Sequence, residues 1–223
     1  MSVLDETNTS RMDLSRRLNA MRLCSGRMLD TTNNMTATEA DMSEELLIRC
    51  CSPTMACLKT GNMFNCAFET HAQMTDELRR LNQRLGPKGL RILPLRWWNG
   101  RALLYLYRPK MLERDLRDPL AQRLLSECGY PSGTDHACLI RLISRLRTEE
   151  DFPHEVGLFL GYPPADVEGF MHRKDSFKLC GLWKVYDDAE SALRQFARCR
   201  HCTKVYLDCL SRGFTLDRLA VAR

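Results

Sequence analysis

An α+β fold, with a small antiparallel sheet packed with several α-helices, follows from three observations. Asn99-Gly100 separates two β-rich runs, Leu90 to Trp98 and Arg101 to Arg108, and Asn-Gly in that setting is the strongest short-range hairpin signal. A later run, Lys178 to Asp187, reads as one further strand, and three strands with a helix-covered face are enough for independent stability. Around them lie stretches of helical period. The clearest is Thr70 to Leu85, where Met74, Leu78, Leu81 and Leu85 form one apolar stripe and charges fill the other face.

Composition bounds the class. The 223 residues suit one domain of ordinary size and a tail. A formal charge of +5, from 33 basic and 28 acidic residues, is mildly basic and weak evidence for nucleic acid. No apolar run is long enough to span a bilayer, which argues against a membrane partner, and the N-terminus has no secretory h-region. Eleven cysteines are an odd number and cannot all pair internally. Without an export signal, reduced thiols in a cytoplasm are the expectation.

Residues 1–41 are rich in Ser, Thr, Asn and Met and contain no Pro, Trp, Tyr or Phe. They read as a flexible N-terminal extension ahead of a single domain over residues 42–223. Leu14, Leu18 and Met21 fall at helical spacing, while Met42-Ser43-Glu44-Glu45 looks like a natural start, with Ser43 capping a helix from Glu44 to Cys50. Ser52 and Pro53 read as the N-cap and first position of a second helix, which carries Met55, Leu58 and Lys59. Pro109 to Cys128 is helical with a break before Pro119, Asp135 opens a helix to about Thr148, and Asp188 caps a long helix from Ala189 to Arg212.

Phe152 to Asp175 is the most sharply punctuated stretch. Pro153 and Pro164 open short helices on either side of Gly161-Tyr162-Pro163. Gly157, Gly161 and Val167, with Val156, Leu160, Tyr162 and Phe170 at apolar positions, fall at the spacing of a helix-turn-helix DNA-binding unit. Its second helix, however, begins with Asp166 and Glu168, acids that would meet phosphate, and its bases Arg173 and Lys174 come only at the far end. A plain corner between two packed helices explains the same glycines.

Other chemistry is sparse. Cys199-Arg200-His201-Cys202 invites a metal or redox reading, but on a helical wheel His201 points away from Cys199 by roughly 160°. Cys199 and Cys202 are therefore read as small buried hydrophobes rather than zinc ligands. Arg194, Arg198, His201 and Lys204 share the opposite face of that helix with no acid between the first and the last. That face could meet a protein partner, nucleic acid or a phosphorylated cofactor, or simply be solvated. His154-Glu155 could serve as a general acid and base, although adjacent helical residues diverge by roughly 100°. There is no Gly-rich phosphate loop, no HExxH and no GxSxG.

From Met42 onward the chain resembles a bacterial family known as domain of unknown function 3793. The resemblance is carried by CSPT at Cys51 to Thr54, LKTGNMF at Leu58 to Phe64, and NQRLGPKGLR at Asn82 to Arg91. It continues with YRPK at Tyr107 to Lys110, FPHEVGLFLGYPPADVEGF at Phe152 to Phe170, CGLWKVY at Cys180 to Tyr186 and CTKVY at Cys202 to Tyr206. The family implies kinship and no activity. Its motifs hold Ser52, Thr54, Lys59, Asn62, Arg108, His154, Glu155 and Lys184, which become site candidates. Three functional readings follow, in order: a non-catalytic cytoplasmic binding or accessory protein using the basic helix face, a helix-turn-helix-like DNA binder, and an enzyme or carrier with an anionic ligand near His154, Glu155 and Lys59. Cofactor, substrate and oligomeric state stay open.

Overall fold

The computed structural model describes residues 42–149, 152–173 and 175–222. The extension over residues 1–41 and Lys174 lie outside the described residues. The fold is α+β. Its three-stranded antiparallel sheet has the order β1-β3-β2, with β1 at Gly61–Ala67, β2 at Arg91–Trp98 and β3 at Arg101–Tyr107. The hairpin turn adopts the mirror-image geometry that matches strand twist, with Asn99 at φ 41° and Gly100 at φ 70°.

The third strand corrects the sequence reading. It precedes the hairpin rather than following it: β1 pairs along the whole of β3, from Gly61 opposite Tyr107 to Ala67 opposite Arg101. The later run folds on itself as a separate two-stranded ribbon, β4 at Leu179–Cys180 and β5 at Lys184–Val185. Gly181 breaks it there, because a Cβ at this position would lie 2.1 Å from the Phe196 ring.

Both faces of the sheet are covered, so β3 is buried from Ala102 to Tyr107. Period-2 alternation sends its residues into two cores. Ala102, Leu104 and Leu106 pack with Leu47, Ile48, Cys51 and Met55 of α1 (Glu44–Met55), and with Met74, Leu78, Leu81 and Leu85 of α2 (His71–Leu85). Leu103, Tyr105 and Tyr107 face α3 (Pro109–Leu116), α4 (Pro119–Glu127), α5 (Asp135–Thr148) and the single-turn α6 (Val156–Phe159). β2 is an edge strand, which is where Pro94 can sit, and the pairing slips there by a bulge between Pro94 and Arg96.

α1 also departs from expectation. It runs unbroken through Ser52 to Met55 with Pro53 inside it. The proline gives up one N–H only a residue or two before the helix ends, so its cost is small and no new helix starts. The long C-terminal helix, α8 (Ala189–Ser211), packs on α1, and α9 (Leu216–Leu219) closes that core. Arg84 joins this end by pairing with both Glu44 and Asp217, which holds the Asp217 carboxyl below its ordinary value.

A third, smaller core joins the β4–β5 ribbon to α7 (Pro164–His172) and α8 through Trp183, Val185, Ala192 and Phe196. Its pin is Asp166. The buried carboxylate accepts from Trp183 Nε1 at 2.7 Å, Tyr186 N at 2.7 Å and Asp187 N at 3.0 Å. Asp166→Ala leaves these donors unsatisfied. It is expected to cost about 3 kcal/mol in chemical denaturation and to shift Trp183 fluorescence to the red. An unchanged midpoint would mean the ribbon holds without the pin.

Candidate functional site

The site begins where α1 hands over to β1. After Met55 the chain reverses through Cys57, which sits at a left-handed φ of 58°. It then passes Leu58, Lys59 and Thr60 before entering the sheet at Gly61. Arg108 fixes this connection from behind. Its buried guanidinium donates to the carbonyls of Thr54 (2.7 Å), Met55 (2.7 Å), Lys88 (3.0 Å) and Val221 (2.8 Å), and its own N–H donates to Thr60 O. Two further bonds brace the helix end: Thr54 Oγ1 donates to Asn62 Oδ1, and Ser52 Oγ donates to Thr203 Oγ1 on α8. Among the family-motif candidates, Ser52, Thr54, Asn62 and Arg108 thus serve as the frame of this loop.

Held by that frame, Lys59 and Thr60 form one wall of a cleft of about 540 Å³. Met111, Arg114 and Asp115 of α3, with Arg117 and Asp118 just after it, form the second wall, and Leu158 with the corner Gly161 to Pro164 forms the third. Gln195 of α8 completes it. Loop and corner touch closely: Gly161 has φ 73°, and a Cβ there would lie 2.7 Å from Thr60 Oγ1. Thr60 Oγ1 in turn donates to the Asp115 carboxylate.

Lys59 is the unusual member. It is only 6% exposed, yet no carboxylate among the described residues pairs with it. Its ammonium lies over the Tyr162 ring, 4.9 Å from the centroid. Burial lowers its pKa from 10.5 to about 8, partly opposed by the nearby Cys199 and Cys51 thiols. The other charges of the cleft are engaged. Asp115 takes Thr60 and Arg114, Arg117 pairs with Glu113, and Asp118 caps α4 through Leu120 N and Ala121 N. The start of α7, at Pro163 and Pro164, borders the cleft without a side-chain cap.

The thiols behind Lys59 are held protonated. Burial pushes Cys51 well up, raises Cys199, and brings Cys202 to about 11. Cys199 and Cys202 point inward while His201 is exposed, and among the described residues no three His, Cys, Asp or Glu side chains converge as a metal site.

The remaining candidates lie elsewhere. Glu155 is 2% exposed and takes an ion pair from Arg145 and a 2.7 Å hydrogen bond from Tyr130 Oη. His154 packs edge-on against Phe170, with centroids 4.9 Å apart. Neither residue lines the Lys59 cleft. The Lys184 ammonium lies over Phe177 and Phe170. Arg194 pairs with Glu190, and Arg198, His201 and Lys204 are exposed along α8. The glycine corner is present, but its first helix is one buried turn. One face of its second helix is covered by the ribbon: Asp166 is spent on Trp183, and a Cβ at Gly169 would meet Tyr186 at 2.3 Å.

Sequence reasoning passed over Thr60, Asp115 and Gln195, and read Tyr162 only as an apolar packing position of the glycine corner. Tyr162, in the Gly-Tyr-Pro-Pro corner, carried the one usable signal. Asp115 stands in a run of mixed charges, Glu113 to Asp118, where nothing distinguishes it. A family model described as protein of unknown function (DUF3793) matches residues 47–220. No curated protein and no solved structure matches the chain. Among the described residues no helix is long and apolar enough to cross a membrane.

Proposed function

For a chain that belongs to the DUF3793 family, we propose a binding function in which the cleft at Lys59 receives a small anionic molecule. One observation carries this reading: a buried ammonium that no carboxylate among the described residues pairs with, at the wall of a cleft. A buried charge is costly unless it is paired, and here an incoming anion would supply the missing partner. Arg114 and Arg117 line the neighbouring wall, where an incoming anion would compete with their partners Asp115 and Glu113. Met111, Leu158 and Tyr162 offer apolar surface, the usual mix of a small-molecule site.

The basic face of α8 fits this reading as a steering surface. Gln195 lines the cleft while Arg194, Arg198, His201 and Lys204 sit on the same helix, so their field would raise the local anion concentration. The Cys51 and Cys199 thiols, held protonated by burial, suit a reducing, cytoplasmic compartment. No observation on the exposed surface of α7 favours DNA.

Inorganic phosphate is the first probe. At constant ionic strength it should raise the melting temperature by about 6 to 12 °C, from about 3 kcal/mol of stabilisation at a hundredfold excess over Kd. Lys59→Met should abolish the shift. An equal shift in that variant, or none in the parent protein, would remove the basis of the reading.

A further inference from the structure

We infer that Lys59 is a nucleophile that forms an imine with the carbonyl carbon of a small anionic aldehyde or ketone bound in the cleft. This rests on the anion-binding reading and adds a covalent step to it. The reason lies in how Lys59 is kept. A lysine that only pairs with anions works best fully charged, in water or beside a carboxylate. Among the described residues Lys59 has neither: it is 6% exposed, lies over an aromatic face, and is backed by the Cys51 and Cys199 thiols. Desolvation of this kind is how proteins keep an amine partly neutral and reactive. With the amine at about 8, on the order of a tenth of it is neutral at pH 7.

The rest of the wall suits the same chemistry. Arg114 and Arg117 line the cleft while paired with Asp115 and Glu113, pairs that an anionic group can compete for, and Thr60 is bonded to Asp115. The neutral amine attacks the carbonyl carbon, a C–N bond forms, and the C–O π pair moves onto oxygen. Nitrogen then gives up two protons, oxygen takes two, the C–O bond breaks and water leaves, giving C=N with no net redox change. Asp115, which lines the same cleft, is assigned the transfer of a proton from nitrogen to oxygen. The loop can hold a reactive amine in place because its backbone is pinned by Arg108 rather than by contacts of the amine itself.

The full chain is incubated with pyridoxal 5′-phosphate, an anionic aldehyde, and reduced with borohydride, whose hydride adds to the imine carbon and fixes the adduct. Peptide mapping by mass spectrometry then compares Lys59 with the exposed Lys110 and Lys178. Lys59 should label on the order of a hundredfold faster than either, the ratio of neutral fractions between an amine at about 8 and an ordinary lysine at pH 7. Excess inorganic phosphate should protect it, and Asp115→Asn should slow it. Lys59→Arg should lose the label while keeping the phosphate-dependent rise in melting temperature. Labelling confined to exposed lysines, with phosphate stabilisation intact, would overturn the imine and leave the anion site standing. If phosphate neither protects nor stabilises, both readings fall.

Discussion

Lys59→Met should make the protein more stable, by about 2 to 3 kcal/mol at pH 7. Burial holds the amine at about 8 in the folded chain against 10.5 when it is free. As pH falls from 10.5 to 8 the unfolded chain takes up a proton that the folded chain resists, so stability is lost across that window. Below pH 8 the loss is complete and constant; above 10.5 it is absent. Methionine fills similar space without the charge, and forfeits only the contact with Tyr162. Urea denaturation at pH 7 and again near pH 10 tests this. The variant's advantage should be full at the first and shrink at the second. A variant less stable than the parent, or an advantage independent of pH, would mean that Lys59 finds partners that offset its burial. The gain should come with loss of the phosphate effect, the exchange of stability for function expected where a site keeps a group in an unfavourable place.

Arg108→Met should act in the opposite direction and more strongly. Four carbonyls from three separate stretches, Thr54 and Met55, Lys88, and Val221, converge on one guanidinium. Hydrogen bonds from a charged donor contribute about 1.5 to 3 kcal/mol each. Although Thr54 O and Met55 O keep backbone donors in Cys57 N and Val221 N, a loss of at least about 4 kcal/mol is therefore expected from the set. Arg108→Lys should recover little of it, because an ammonium has three donors and no planar fork to span the three stretches. A loss below about 1 kcal/mol in the denaturation midpoint would show that water replaces the guanidinium without strain. The two substitutions therefore separate the frame of the site from the group it presents.

What was legible in the sequence was local. The hairpin could be read because Asn99-Gly100 states its own turn, and α2 because Met74, Leu78, Leu81 and Leu85 all fall on one buried stripe. β1 was not legible: Gly61–Ala67 contains two asparagines and a glycine, and its register is set by β3, some forty residues on. The run from Lys178 to Asp187 misled for the opposite reason, since its β-forming residues are divided by a glycine that the Phe196 ring requires to be bare. Lys59 was identified as a residue, but the cleft was not, because Thr60, Asp115, Tyr162 and Gln195 reach it from four different parts of the chain. Asp166 shows the limit most clearly. On the sequence it is a surface acid that would repel phosphate. In the fold a later ribbon covers it and makes it an acceptor for three donors.

The cage around Arg108 also sets an order of events in synthesis. Val221 closes it from both sides, its N–H donating to Met55 O and its carbonyl accepting from Arg108. The sheet and most helices can form as the chain emerges, since their partners lie upstream. The loop bearing Lys59 gains its last tether only once residue 221 has cleared the ribosome. A chain still being translated would therefore carry a largely assembled fold whose amine is not yet fixed.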